Sequence, residues 1–205
     1  MNSQKGLLIA FEGIDRCGKT TQIALLSELL NFKYIPNKII KFPDRTTAVG
    51  QLINGYLKNV NEINDQTIHL LFSANRWEKS KEILDNLNKG VTVILDRYTY
   101  SGIAYSIAKG LDYEWCKIPD EGLPEPHIII YFDIDVEDCL KRGDYGNEIY
   151  EKQEFQNKVY KAYQKIRSDD YKSWTIIDAD RSIESVHDDV VNSISSNINN
   201  TLFQI

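Results

Sequence analysis

Cysteine, histidine and positive charge are scarce in this chain, and each scarcity closes off some chemistry. There are three cysteines, Cys17, Cys116 and Cys139, far apart and odd in number, with no C-x-x-C pair. They make no disulfide framework, which points to a reducing compartment. Cys17 reads as a small residue inside a loop, because a redox switch would want a partner thiol. The three histidines (His69, His127, His187) are scattered, so a histidine-based metal site is not expected. Lys and Arg number 24 against 30 Asp and Glu, a net charge of −6. That argues against general affinity for nucleic acid or an anionic membrane. No apolar run approaches the length of a membrane span, and the N-terminus lacks a signal-peptide pattern. Repeats, low-complexity linkers and a second domain are missing too. So is the Asn-Lys-x-Asp guanine signature. Asn37-Lys38, Asn88-Lys89 and Asn157-Lys158 occur, but none has Asp two places after Lys. A switch of GTPase type is disfavoured on that ground.

What is present is ordinary in bulk and specific in detail. The chain has 205 residues, 42% apolar and 26% charged, enough for one α/β domain with a sizeable core. Gly13-Ile14-Asp15-Arg16-Cys17-Gly18-Lys19-Thr20 reads G-x-x-x-x-G-K-T, a phosphate-binding loop spanning 13–20. The apolar run Leu7 to Phe11 before it has the length of a buried strand. Thr21 to Leu30 after it puts Ile23, Leu26 and Leu30 on one helical face. In that context Gly13 and Gly18 let backbone N–H groups point at phosphate oxygens, and the helix N-terminus adds partial positive charge. Lys19 reaches the outer phosphates and the Thr20 hydroxyl suits Mg2+. Kinases, GTPases and ATP-driven machines all use such a loop.

Strand and helix patterns alternate along the rest, which predicts a P-loop fold: a five-stranded parallel sheet, helices on both faces, and a small lid. Strands are expected over 38–42, 91–95, 127–132 and 174–177. Helices are expected over 47–57, 65–87, 101–109, 136–142, 154–166 and 183–198. In the 65–87 helix Ile68, Leu71, Phe72, Ile83, Leu84 and Leu87 make an apolar stripe. The polar stretch over about 142–152 is either a surface loop or a lid that excludes water.

Asp96-Arg97-Tyr98 closes a hydrophobic strand, at the end where parallel sheets bind ligands. An Asp there suits Mg2+, and an Arg beside it suits phosphate. Arg16 is less expected within a phosphate loop. It is either a solvated side chain or an arginine finger supplied by the chain itself. Arg45 after Phe42-Pro43-Asp44 is a candidate phosphate clamp or a surface charge. Phe72, Asn75 and Arg76 share one helical face. They are core residues or a stacking platform with a hydrogen-bonding edge.

Several segments resemble the thymidylate kinase family, in order from the N-terminus to about Ile183. They are Phe11-Glu12-Gly13-Ile14-Asp15-Arg16, Thr21-Gln22, Phe42-Pro43-Asp44-Arg45, His69 to Glu78, Asp96 to Tyr105 and Gly122-Leu123-Pro124-Glu125-Pro126. Arg16 makes the likeness closest to the eukaryotic type, since the bacterial type keeps its catalytic cation in the lid. His127 stands where the family commonly has Asp, and Cys17 where Ala or Ser is common.

The resemblance implies a single nucleoside monophosphate kinase-like domain over 1–205 that moves the ATP γ-phosphoryl group to dTMP, with Mg2+. Arg16, Lys19, Asp96 and Arg97 would be catalytic. Gly13, Asp15, Arg16, Cys17, Gly18, Lys19, Thr20 and Thr21 would hold ATP, with Arg142 and Arg181 flanking its adenine. For dTMP, Phe72 would stack on thymine and Arg76 would bond its edge. Arg45 and Arg97 would hold the monophosphate, and Asp15 the 3′-hydroxyl. Tyr105 would crowd the 2′ position. Phe42, Ser101 and Gly102 would line the pocket, with Tyr150 and Gln156 closing it. Thr20, Asp96 and Glu12 would organise Mg2+. A homodimer built partly on the Phe72 helix is implied, without nucleic acid or membrane. A cytoplasmic place of work is expected, with the nucleus as the alternative. Another monophosphate kinase or a deoxynucleoside kinase would share the loop and Asp96-Arg97 and differ in the base pocket.

Overall fold

A computed structural model describes residues 5–142, 148–170 and 174–197. Its elements run β1 (Leu8–Glu12), α1 (Lys19–Phe32), β2 (Asn37–Lys41), α2 (Ala48–Leu57), α3 (Asp65–Asn88) and β3 (Thr92–Asp96). Then come α4 (Thr99–Ala108), α5 (Tyr113–Lys117), a 3-10 turn (Ile118–Asp120), β4 (Ile128–Asp133), α6 (Val136–Leu140), α7 (Gln153–Asp169), β5 (Trp174–Asp178) and α8 (Ile183–Asn197). The strands form one parallel sheet in the order β2-β3-β1-β4-β5. The expected α/β architecture is what the chain adopts. After β3 the chain crosses to the other side of β1. That crossing opens a crevice at the carboxyl ends of the central strands, where such sheets take ligands.

Alternation along the strands builds two cores. Leu8 and Ala10 of β1 and Val93 and Leu95 of β3 pack on Ile83 and Leu87 of α3. Ile9, Phe11 and Ile94 point the other way, into a cluster with Ile23 and Leu26 of α1, Val159 and Tyr163 of α7, and Val190 of α8. Every residue of β1 and β3 is buried. Each large aliphatic side chain so placed contributes about 1.5–3 kcal/mol. His127 fixes β4 beside β1: its Nδ1 accepts the Leu8 N–H at 2.9 Å and its own N–H donates to Leu8 O at 2.8 Å. An imidazole nitrogen there does what a carboxylate acceptor would do.

Caps set the helix starts. The side chains of Thr47, Asn64 and Asp112 accept backbone N–H groups of Gly50, Thr67 and Trp115. Two features differ from the sequence expectation. The short helix α5 and the 3-10 turn after it were not expected, since five residues are too few to show a period. And the expected stripe on α3 is only partly apolar. Leu84 is half exposed, while His69, Ser73, Asn75 and Arg76 are buried. Of the expected lid over about 142–152, residues 143–147 lie outside the described residues. Among the described residues no helix is long and apolar enough to cross a membrane.

Candidate active site

β1 ends at Glu12 and the backbone turns at Gly13, where φ is 144°. A Cβ there would lie 2.9 Å from Cys17 Sγ and 3.0 Å from Phe132 O, so only glycine fits. Gly18 caps α1 with φ 99° and no side-chain cap, which leaves the first amides of α1 for a ligand. Lys19 Nζ donates to Ile14 O at 2.6 Å, Gly13 O at 3.2 Å and Cys17 Sγ at 3.2 Å. The ammonium is thus held inside the curve of the loop. Thr20 Oγ1 donates to Asp96 Oδ2 at 3.2 Å, and Lys41 Nζ lies 3.7 Å from the same carboxylate.

Two cations of the site have left-handed backbones, Arg16 at φ 63° and Arg97 at φ 68°. Such a conformation costs a non-glycine residue about 1–3 kcal/mol and persists only where the surroundings impose it. For Arg97 those surroundings are clear. Its guanidinium pairs with Asp15 and donates to Gly13 O at 2.8 Å and Ser101 Oγ at 3.3 Å. Beneath it sits Glu12, wholly buried. One Glu12 oxygen accepts the N–H groups of Tyr98 (2.9 Å) and Ser101 (3.3 Å); the other accepts the hydroxyls of Ser101 (2.5 Å) and Tyr163 (2.9 Å). Burial raises the Glu12 pKa despite these donors and the Arg97 charge. The Mg2+ role expected for Glu12 does not match this geometry. Both of its oxygens are taken by protein donors and it does not line the cavity, so it shapes the turn that carries Asp96 and Arg97.

At the other end Arg76 is buried, and its Nε and Nη2 bond both oxygens of Asp120 at 3.1 and 2.7 Å. Phe72 is half-buried one turn earlier, and Phe42 packs on Tyr98 at 5.6 Å between ring centres. Asn75 bonds both the N–H (2.7 Å) and the carbonyl (3.1 Å) of Asp44, holding the loop after β2. Lys79 at 2.8 Å keeps the Asp44 carboxyl down at about 2. Arg45 forks onto Glu148 at 2.6 and 3.1 Å. Tyr150 stacks on Phe155 at 4.9 Å and meets Tyr105 at 5.4 Å. Burial pushes the Tyr105 hydroxyl well above its usual pKa, so it stays neutral. Gln156 ties this group to the loop. It accepts the Asp15 N–H at 3.1 Å and donates to Asp15 Oδ2 at 2.7 Å and Tyr150 O at 2.9 Å.

Both ends open into one cavity of about 770 Å3. Its wall includes Asp15 to Thr21, Phe42, Arg45, Phe72, Arg76, Asp96, Arg97, Ser101, Gly102, Tyr105 and Tyr150. Arg142 and Arg181 line it beyond the loop; Arg142 donates to Ala179 O at 2.8 Å and Arg181 pairs with Asp189. Arg16 also faces the cavity, with the Glu151 carboxylate 3.9 Å away. Gly13, Glu12 and Gln156 are not on the wall and act through backbone or neighbours. Sequence reasoning missed Asp120, Tyr163, Lys41, Glu148 and Glu151. A buried Arg on a helix face signals a missing carboxylate, but not which one. Among the described residues no cluster of three or more His, Cys, Asp or Glu side chains could hold a metal.

Comparisons with known proteins point to one family. The thymidylate kinase family model matches residues 11–190. A thymidylate kinase of Schizosaccharomyces pombe is 50% identical over 202 residues, covering 97% of this chain and 96% of its own. The thymidylate kinase of Homo sapiens is 40% identical over 191 residues, covering 93% and 90%. The solved structure of thymidylate kinase from Candida albicans superposes with a TM-score of 0.88 at 40% identity, over 98% of this chain and 94% of that one. With the family model covering most of its length, this chain belongs to the thymidylate kinase family.

Proposed function

We propose that this protein transfers the γ-phosphoryl group of ATP to dTMP, giving ADP and dTDP on the way to dTTP. The observation that carries the reading is the single cavity, with the phosphate loop at one end and Phe72, Arg76 and Gly102 at the other. One end suits a triphosphate and the other an aromatic base, and Arg97 and Asp15 stand between them. Residues 1–205 act as one kinase-like domain in which the segment over about 142–152 serves as a lid.

The enzyme's task is alignment and charge stabilisation. Loop amides and Lys19 hold the ATP phosphates, with Arg142 and Arg181 beside the adenine. The dTMP phosphate is already anionic and attacks in line, so no strong general base is needed. Arg45 and Arg97 hold that phosphate. Arg45 must exchange its Glu148 partner for the substrate, which links binding to movement of the lid side. Arg16 and Arg97 neutralise charge that grows on the transferred group. Asp15 meets the sugar, Gln156 holds Asp15 and Tyr150 in place from behind, and Tyr105 disfavours a 2′-hydroxyl.

Thr20 and Asp96 offer one hydroxyl and one carboxylate at the loop. That hard, sparse oxygen set fits Mg2+, which takes most of its ligands from water and phosphate. Mg2+ would neutralise charge on the ATP phosphates. A homodimer is supported by half-exposed Leu70, Trp77 and Leu84, spaced seven apart on α3. A monomeric mass in solution would remove that assignment. Three free, buried cysteines suit the cytoplasm or the nucleus.

The reading is tested by ADP release from Mg-ATP with dTMP, dUMP, dGMP, UMP, AMP and thymidine as acceptors. Turnover with dTMP and little with thymidine or ribonucleotides is expected. Preference for another acceptor would keep the kinase and overturn the base pocket.

A further inference from the structure

We infer that Asp120 is a positioning residue that makes Arg76 a reader of the keto oxygen at position 4 of the pyrimidine, and so sets discrimination against cytosine. This rests on the dTMP kinase reading of the cavity. A guanidinium carries five N–H donors and no acceptor. Asp120 engages Nε and Nη2 in a fork and takes no part at Nη1. The side chains are 2% and 5% exposed, so the pair is nearly dry and its geometry is rigid. On the other side the guanidinium lies flat against Gly102. A Cβ there would sit 2.7, 2.8 and 3.0 Å from Nη2, Nη1 and Cζ. Arg76 is therefore clamped between a carboxylate and a bare α-carbon, with only donors left for the cavity. A carbonyl oxygen satisfies those donors. The amino group of cytosine would set N–H against N–H at a buried guanidinium, which is strongly disfavoured.

The carboxylate is itself anchored by the helix that carries Arg76. Ser73 Oγ and Trp77 Nε1, on the same side of α3, both donate to Pro119 O at 2.8 Å. Two turns back, His69 Nε2 lies 3.1 Å from Cys116 O. One face of α3 thus delivers the Arg and grips the 116–120 segment that aims it. A purely structural pair would join α3 to that segment and leave base choice unaffected.

The experiment measures kcat and KM for dTMP and dCMP, and KM for ATP, in wild type, Asp120→Asn and Asp120→Glu. Asp120→Asn is expected to raise KM for dTMP about tenfold or more and to lower the dTMP-to-dCMP ratio of kcat/KM by a similar factor, with KM for ATP unchanged. Asp120→Glu keeps the charge but pushes the fork by one methylene. It should fold and show the same changes in smaller measure. If Asp120→Asn does not fold, Asp120→Glu decides alone. A folded variant with wild-type KM for dTMP and wild-type base ratio overturns the proposal. So does a joint rise in both KM values at an unchanged ratio, which marks a structural pair. Wild type that does not phosphorylate dTMP at all would instead overturn the functional reading, and this inference with it.

Discussion

The two ends of the cavity are built in opposite ways. At the phosphate end the binding groups come from eight consecutive residues, and most of them are backbone. Gly13, Gly18 and the start of α1 present amides, and Lys19 folds back on its own loop. At the base end the wall is assembled from α2, α3, α4 and the loop after β2, with the 3-10 turn behind it. Its key contact joins Arg76 to Asp120, 44 residues apart. In the proposed reading, the first end recognises what every nucleotide shares, and the second what distinguishes one acceptor from another. A feature common to all ligands can be encoded locally, whereas a selective pocket needs side chains converging from several elements.

The sharpest way to break this contrast is at Arg16, a loop side chain proposed to do more than bind. Arg16→Gly should lower kcat on the order of a thousandfold or more while leaving KM for ATP and dTMP nearly unchanged. Steady-state kinetics with both substrates checks it. An unchanged kcat would make the phosphate end a backbone cradle only, with transition-state charge met by Arg97 and Lys19.

The same contrast explains what was legible in the sequence. Strand, glycine loop and helix follow one another directly, so the loop and its place in the fold could be read. The sheet was legible too, since β1, β3 and β4 are short apolar runs bounded by turns. Phe72 and Arg76 were legible as a pair through helical spacing and family resemblance. Asp120 was not, because it lies in a three-residue turn after a five-residue helix, with no period and no nearby motif. Glu12 was legible only as an acid next to the loop. Its four donors come from Tyr98, Ser101 and Tyr163, up to 151 residues away. Spacing cannot report a contact that only the sheet and α7 create.

Phe72 sharpens the contrast from the base end. It is half-buried, packs against the Ile53, Leu57 and Ile68 cluster, and also lines the cavity. If the ring stacks on the base, Phe72→Ala should weaken dTMP by about 1–3 kcal/mol. The binding of an ATP analogue should not change. Calorimetric titration of each ligand separates the two. Normal dTMP affinity in a folded variant would return Phe72 to the core and leave base recognition to Arg76 and Gly102.

The smallest effect tests the joint between the ends. Glu12 holds the turn that aims Asp96 toward Thr20 and Arg97 toward Asp15, so it serves both ends without touching a ligand. Glu12→Gln keeps the shape and one acceptor oxygen. Ser101 and Tyr163 must then both accept rather than donate, a loss of about 1 kcal/mol. The pH dependence has a definite sign. Burial raises the Glu12 pKa in the folded state, so its contribution to stability is complete below the ordinary carboxylate pKa and declines as pH rises through the raised value. The amide resembles the protonated acid and has no such decline. The gap in melting temperature between wild type and Glu12→Gln should therefore narrow from about pH 5 to about pH 8. Over the same variants the Mg2+ concentration for half-maximal rate should stay constant if, as proposed, the ion's groups are Thr20 and Asp96. A raised Mg2+ requirement with an unchanged melting gap would return Glu12 to the metal and leave the turn held by Ser101 and Tyr163 alone.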